Sequence, residues 1–402
     1  YIFNTTCSNY RFNFNNKTNI YNENIYLEYN NNPYNYIVKF NYLQENELTN
    51  INEVKNIIIR NSNNIITEDI ILNIISWQFG MFQEDYPKNL NSTTKGFWSK
   101  RECNFLTQYN GTANSYTDSN GDIKYNYGSL QDGTGVFIKL IIDYYLKNIN
   151  TNTANICLES INLFIDFLNE MINDNGGIPQ YFPLQGYHFD NICINDGAFI
   201  NYLKCCDFIL NSKIKNDISS DKILLLTENY TKALTCLLNL QIEIEGKKTI
   251  WTQQYDPLTL EPTSARSFEQ ISLCSLESSQ ILLYLMSKKN PSNLIKSSII
   301  SGCEWFYNNK ISDYTQRQTN NNIYIINDKD NVKRNLYSRY YTIDKDSEPI
   351  FFDRDENTYS LSTFNDMPLE RRNGYTWLGT WGDYLLKSFE KWKIINLINT
   401  KL

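Results

Sequence analysis

The chain has 402 residues, 41% hydrophobic and 14% aromatic, with a formal net charge of −7 and a pI near 5.1. That apolar content fills a sizeable core, so the abundant Asn does not imply disorder. The acidic balance argues against a general nucleic-acid binder, which needs a broad basic footprint, while leaving room for a local cationic cleft.

The chain starts at Tyr1 with neither Met nor a signal-like segment, and reads as a processed product or an excised piece. In residues 1–65, the stretch NIYLEYNNNPYNYIVKFNYL (24–43) holds runs rich in Tyr, Ile and Val, split by an Asn-Asn-Pro turn, and predicts strands. NEVKNIIIRNSNN (52–64) adds another strand or a short helix. These residues form a small β-rich N-terminal appendage of unknown role, and residues 66–402 form the main domain. There the spacing of apolar residues at i, i+3, i+4 and i+7 predicts helices over 68–79, 135–148, 157–174, 197–210, 229–244, 273–287 and 295–309. Long loops at 85–130, 175–196, 246–272 and 311–375 separate several of them. Helices without alternating strands pair around a shared core. No run of about 18 apolar residues occurs, so no membrane span is expected.

Several chemistries drop out. His188, in the loop GYHFDN, is the chain's one His, so a Ser-His-Asp triad or a His-activated Cys would have to use it. No phosphate-binding GxxxxGK[ST] and no GxGxxG is present. The nine Cys contain no CxxC pair and lie mostly in apolar helical stretches, as buried small hydrophobes do. DSNGD (118–122) begins like a calcium loop but has Ile123 at position six and Ser129 at position twelve, and reads as a solvated turn. Sequons at Asn4, Asn16, Asn91, Asn110 and Asn229 fit a secreted protein.

The chain has 37 Lys and Arg together, of which 10 are Arg. Arg266, Arg317, Arg334, Arg339, Arg354, Arg371 and Arg372 all lie after residue 260. Arg differs from Lys where a planar fork must hold a carboxylate at two points. The clustering therefore leaves two readings open: recognition of an acidic ligand, or internal ion pairs bracing long loops.

Four stretches carry a resemblance: GGIPQYFPLQGYHFDNICINDGAF (176–199), IWTQQYDPLTLEPTSARSFEQISL (250–273), LYSRYYTIDKDSEPIFFDRDE (336–356) and RRNGYTWLGTW (371–381). Together, in order and spacing, they resemble the pectate lyases of polysaccharide lyase family 10, from about residue 68 to the C-terminus. The resemblance implies a mainly α fold, an irregular α/α toroid, beside the β-rich appendage. It implies a secreted enzyme that cleaves de-esterified homogalacturonan by anti β-elimination with Ca²⁺, acting as a monomer, alone or within a larger multimodular protein.

Carried over by motif, Arg266 in ARSFE matches the base, and its alternative is structural pairing with Asp256 or Glu269. Asp196 in INDGAF matches a calcium ligand, with Asn195 beside it, and its alternative is a helix cap. Arg339 and Arg354 match substrate-carboxylate arginines. Arg371 and Arg372 are assigned no sugar contact. Three departures stand out. Where the family has Asp-Asn-Gly, this chain has Gln131-Asp132-Gly133, which displaces the carboxylate of the metal site by one residue. Tyr255 stands where the family has the His of its Gln-His-Asp motif and, like Asn195, is expected to contact substrate, and Gly80 to Tyr86 replaces a Gly-Gly-Trp stretch before Pro87-Lys88-Asn89. These changes leave an alternative: a catalytically impaired lyase-like module that binds acidic polysaccharide.

Overall fold

The computed structural model describes residues 138–398 except 183, 185, 187, 320–321 and 329–333. It also describes Glu68, Ile71, Leu130 and, at the level of the backbone, six earlier strands. Strands β1 (Phe12–Asn13), β2 (Tyr21–Tyr29), β3 (Tyr36–Gln44) and β4 (Lys55–Arg60) form one antiparallel sheet in that order. The β2–β3 register runs from Tyr21↔Gln44 to Tyr29↔Tyr36, which leaves the Asn-Asn-Pro segment as the connection. In β4 the run Ile57-Ile58-Ile59 decides for a strand over a helix, since branched side chains suit the pleat. Strands β5 (Ser115–Thr117) and β6 (Ile123–Tyr125) pair on either side of DSNGD, which lies outside the described residues. So does the helix expected over 68–79, apart from Glu68 and Ile71.

The chain divides into two compact units. The first comprises Tyr1–Ile172, Pro179–Gln185 and Asn201–Tyr230. Its helices are α1 (Ile138–Lys147), α2 (Asn152–Met171), most of α3 (Ala198–Leu210) and the first half of α4 (Ser220–Asn239). Helix α2 begins where Thr151 Oγ1 accepts the Ala154 amide at 3.1 Å, an N-cap. It buries Cys157, Ile161, Phe164, Ile165 and Leu168, one stripe along its length, and α1 packs against it with Ile138, Ile141 and Ile142. Asn229 is buried, with its amide donating to Asn169 Oδ1 at 3.1 Å. Its sequon is thus closed to a glycan, which corrects the expectation; the other four lie outside the described residues.

The second unit comprises Asn173–Ile178, Gly186–Ile200 and Thr231–Leu402. Strand β7 (Ile192–Cys193) leads into α3, and the end of α4 is followed by the two-residue pair β8 (Glu243–Ile244) and β9 (Lys247–Lys248). Strand β10 (Gln254–Tyr255) pairs with β7, Gln254 opposite Cys193. Helix α5 (Ser275–Met286) follows β11 (Leu273–Cys274) and packs against α6 (Asn293–Asn308), which Ser292 caps.

The segment 311–375, expected as loop, is not structureless. It contains the hairpin β12 (Tyr314–Thr319) and β13 (Asn322–Asn327), then β14 (Tyr337–Ser338), β15 (Tyr340–Tyr341), β16 (Pro349–Phe352) and β17 (Thr358–Tyr359). β11, β15, β16 and β17 make a sheet in that order. Its strands are too short to show a period, and Tyr340, Tyr341, Phe351 and Phe352 are all buried, so no polar alternation marks them. After the short helix α7 (Leu369–Asn373), strand β18 (Leu378–Gly379) pairs with β14. A final helix, α8 (Trp381–Lys393), packs on α5 and α6 and was not among the expected elements. The seven described cysteines are all buried, as expected of small apolar side chains.

Candidate active site

Four short elements of the second unit bring the unusual residues together. Strand β7 and the 3₁₀ turn Asn195–Gly197 are pinned by the stretch before β10, where the Ile194 amide donates to Gln253 O at 3.0 Å. Trp251 anchors that stretch from the core, its indole N–H donating to Leu237 O at 2.7 Å. Asp196 then adopts the left-handed conformation (φ 50°, ψ 22°). Asp visits this region more readily than most residues, and its placement is set by the turn, not by an ordinary helix cap.

Arg339 is the single residue between β14 and β15. Its amide donates to Trp377 O at 2.6 Å and its carbonyl accepts from the Ser275 amide at 2.8 Å. The side chain is 7% exposed and donates through Nη2 to Asn195 Oδ1 at 3.0 Å and to Glu277 Oε1. Asp196 Oδ1 stands 3.9 Å from the same nitrogen. Burial works against the Arg339 charge, but Glu277 outweighs it, and the guanidinium pKa is raised.

Arg266 sits in a turn closed by two backbone bonds, Ala265 N to Glu269 O at 3.1 Å and Glu269 N to Arg266 O at 2.7 Å. Its guanidinium forks onto Glu269, Nε to Oε2 at 2.7 Å and Nη2 to Oε1 at 2.5 Å. The Arg266 side chain is 47% exposed and that of Glu269 2%. Burial alone would raise the Glu269 carboxyl; the Arg266 fork overcomes it and holds the group below the usual carboxylate range. For Arg266, partial burial opposes the charge, and Glu269 outweighs that and raises its pKa. Asp256, the other partner considered, is spent on its own turn, accepting the Leu258 and Thr259 amides.

Aromatic rings tie these settings together. The Arg266 guanidinium lies 4.5 Å from the centre of the Phe268 ring, Arg354 5.2 Å and Arg371 4.1 Å. Phe268 packs edge-on against Tyr375, over which Arg339 lies at 4.5 Å. The Tyr375 hydroxyl donates to Glu269 Oε1 at 3.0 Å and meets the Tyr340 hydroxyl at 2.6 Å. Arg354 is the exposed member, 59% in its side chain, paired with Glu370 at 2.9 Å. Arg371 is buried, its Nη2 donating to the Gly374 carbonyl at 2.7 Å, and burial lowers its pKa against the pull of Glu370.

Asp196, Arg266, Arg339 and Arg354 therefore belong to one continuous network, and Asn195 joins it through Arg339. Tyr255 does not. It is fully buried, its hydroxyl donating to Leu240 O and accepting from the Thr252 amide, both at 2.8 Å. It braces the loop from below, which corrects its assignment to ligand contact. Gln131 and Asp132 lie outside the described residues. His188 sits on a short 3₁₀ turn against Phe189. The motif reading missed Glu277, Phe268 and Tyr375, and placed Glu269 only as a structural partner. Phe268 and Glu269 stand in the quoted motif, Tyr375 in the last one, and Glu277 gave no signal.

Four arginines gathered around aromatic rings, set against Asp196, Glu269, Glu277 and Glu370, offer guanidinium forks that suit an anionic ligand with spaced carboxylates. A pectic acid lyase family model matches residues 92–386. Among solved structures, a family 10 polysaccharide lyase from Cellvibrio cellulosa is similar, with 23% identity, 81% of this chain and 92% of that chain covered, and a TM-score of 0.62. An Asp-to-Ala mutant of the Cellvibrio lyase in complex with trigalacturonic acid matches at 22% identity over 82% of this chain and 99% of that one, with the same TM-score, 0.62. These likenesses bear out the mainly α fold class. No curated protein matches.

Proposed function

The chain belongs to the pectic acid lyase family and is a polysaccharide lyase, and on that premise we propose that it cleaves de-esterified homogalacturonan by anti β-elimination with Arg266 as the base. The trigalacturonic acid bound to the Cellvibrio lyase supports a galacturonate chain as substrate. The observation that carries the reading is the convergence of Arg266, Arg339, Arg354 and Asp196 around Phe268 and Tyr375.

In the proposed step the C5–H bond of a galacturonate breaks and its proton passes to a guanidinium nitrogen of Arg266 in the free-base form. The electron pair forms the C4=C5 double bond, the C4–O bond breaks, and the leaving oxygen takes a proton from solvent. Negative charge grows on the carboxylate beside C5, and fixed cations aimed there lower the barrier. Arg354, with its open side chain, meets a carboxylate directly. Arg339 supplies charge from beneath, held by Glu277. Because Glu269 raises the Arg266 pKa, the free-base form is scarce at neutral pH, and the rate should climb through the alkaline range.

The family resemblance implies Ca²⁺. Glu269 and Glu277 are taken up by arginines, and among the described residues no group of three His, Cys, Asp or Glu is arranged for a metal. Asp196, with its side chain 34% exposed, offers a hard oxygen and fits as one ligand. Ca²⁺ takes six to eight oxygens, so Gln131 and Asp132, the other expected ligands, together with substrate carboxylates and water would supply the rest. When bound, the ion adds positive charge at the carboxylate beside C5. The same reading places the protein outside the cell, where such polymers lie, as a monomer; a dimer in sedimentation would refute the last point.

The second reading, a module that holds acidic glycan without cutting it, is favoured by the Arg266–Glu269 pair, which keeps the guanidinium protonated. Ultraviolet absorbance of the unsaturated product from polygalacturonate decides between them, read across alkaline pH with Ca²⁺ and with chelator. The lyase reading expects product, with Arg266→Ala and Arg266→Lys both slower by about 10²–10³-fold or more. Near-native turnover in Arg266→Lys would sink the base assignment. Polymer binding without product would establish the second reading.

A further inference from the structure

We propose that Glu269 is the positioning residue that turns the Nη1 end of Arg266 toward the substrate. The inference rests on the lyase reading above and deepens it. The fork engages Nε and Nη2, one edge of the guanidinium, and among the described residues no hydrogen bond engages Nη1. The plane is fixed a second time by Phe268, whose ring centre lies 4.5 Å from the guanidinium carbon. Glu269 is held in turn: the Tyr375 hydroxyl donates to Oε1, and Tyr375 is locked by Tyr340 and by Gln253, whose amide donates to its hydroxyl at 3.3 Å. A nearly buried carboxylate thus carries a half-exposed arginine and leaves Nη1, the end opposite the fork, to other partners.

A purely structural role accounts poorly for this arrangement. The turn 265–269 is already closed by two backbone hydrogen bonds, so the side-chain fork is not needed to close it. Burying a carboxylate to hold a half-exposed partner is a weak route to stability. The Arg354–Glu370 pair has the same fork but leaves both side chains exposed, 59% and 62%, as an ordinary surface pair does. What sets Glu269 apart is that its carboxylate is immobilised from behind, as a group that must aim another within a fraction of an ångström is expected to be.

The test uses the full chain with Glu269→Gln and Glu269→Asp. Glu269→Gln keeps the shape and the Tyr375 contact but loses the fork and the charge. It should keep KM on polygalacturonate within about threefold and lose kcat by about 10²-fold, the scale of a small misplacement at a reacting centre. Its alkaline rise in rate should also begin at lower pH, because the carboxylate that raises the Arg266 pKa is gone. Glu269→Asp should lose kcat while keeping the native pH onset. Native kcat and onset in Glu269→Gln, or a loss of rate that only tracks unfolded protein, would overturn the proposal. Should the native chain cut no polygalacturonate, the lyase reading fails by itself. The positioning is then read from the Arg266 Nε–H resonance in ¹⁵N NMR, which should exchange slowly in the native chain and rapidly in Glu269→Gln; equal exchange overturns it.

Discussion

Removing Glu277 strands the Arg339 charge. The two side chains are 3% and 7% exposed, and among the described residues Arg339 Nε already has no hydrogen-bond partner. Breaking a buried pair by deleting one member typically costs about 3–5 kcal/mol, because the remaining ion stays out of water without its counter-charge. Asp196, 3.9 Å from Nη2 and a third exposed, compensates in part, so we expect about 3–4 kcal/mol for Glu277→Ala. For a unit of this size that lowers the melting temperature by roughly 6–16 °C. Five of the seven Trp, Trp251, Trp305, Trp377, Trp381 and Trp392, lie in the second unit, so the fluorescence of a urea titration at neutral pH reports mainly its unfolding. Glu277→Leu combined with Arg339→Met removes both charges and should recover stability to within about 1 kcal/mol of native, while polymer affinity stays lost. A loss below about 1 kcal/mol in the single variant, or a double variant no more stable than the single, would refute this account of the buried pair.

Asp353 tests hydrogen bonding in the same unit. Burial would raise its carboxyl, but bonds from Asn357 and Tyr359 outweigh it and depress the pKa. Its contribution is therefore present above the unfolded pKa, about 3.9, and is lost as pH falls through the lower folded value. Asp353→Asn should be less stable at pH 7 by about 1–3 kcal/mol, and the gap in urea midpoint should close below about pH 4; a gap that persists in acid contradicts the assignment. Gly382 opens α8 beneath Tyr337, and a Cβ there would meet the ring at 2.3 Å. Gly382→Ala should cost about 1–3 kcal/mol by overpacking, seen as a lower thermal midpoint, whereas a native midpoint would mean the ring yields freely.

Helices α1 to α3, α5 and α6 were legible because their buried residues recur with the helical period, as Cys157, Ile161, Phe164 and Leu168 do, whereas α4 was legible only in part, running over Ser220–Asn239 and not 229–244. α8 carries the same signal in Leu385, Phe389 and Trp392, but it begins inside the RRNGYTWLGTW motif, whose Gly and Thr interrupt the period at its start. The short strands were not legible, since two to four residues buried on both faces display no alternation. At the site, Arg266, Arg339, Arg354 and Asp196 stood out as residue types in motifs. Glu277 did not, because its partner is 62 positions away and a Glu within an apolar helix reads as an ordinary surface residue. Tyr255 misled in the opposite direction: its place in a motif says nothing about which way the side chain faces, and the core claimed it.

Arg339 is clasped on both sides of its backbone, by Trp377 from the β14–β18 side and by Ser275 from the start of α5. A side chain mounted at such a junction cannot swing aside to admit a bulkier guest without unzipping its neighbours. Arg354 is mounted on an exposed turn, its side chain 59% exposed, and has that latitude. Tolerance for branched or modified uronates is therefore a property of the rim and not of the floor, and attempts to broaden or narrow what is accepted should begin at Arg354 and leave Arg339 as it is.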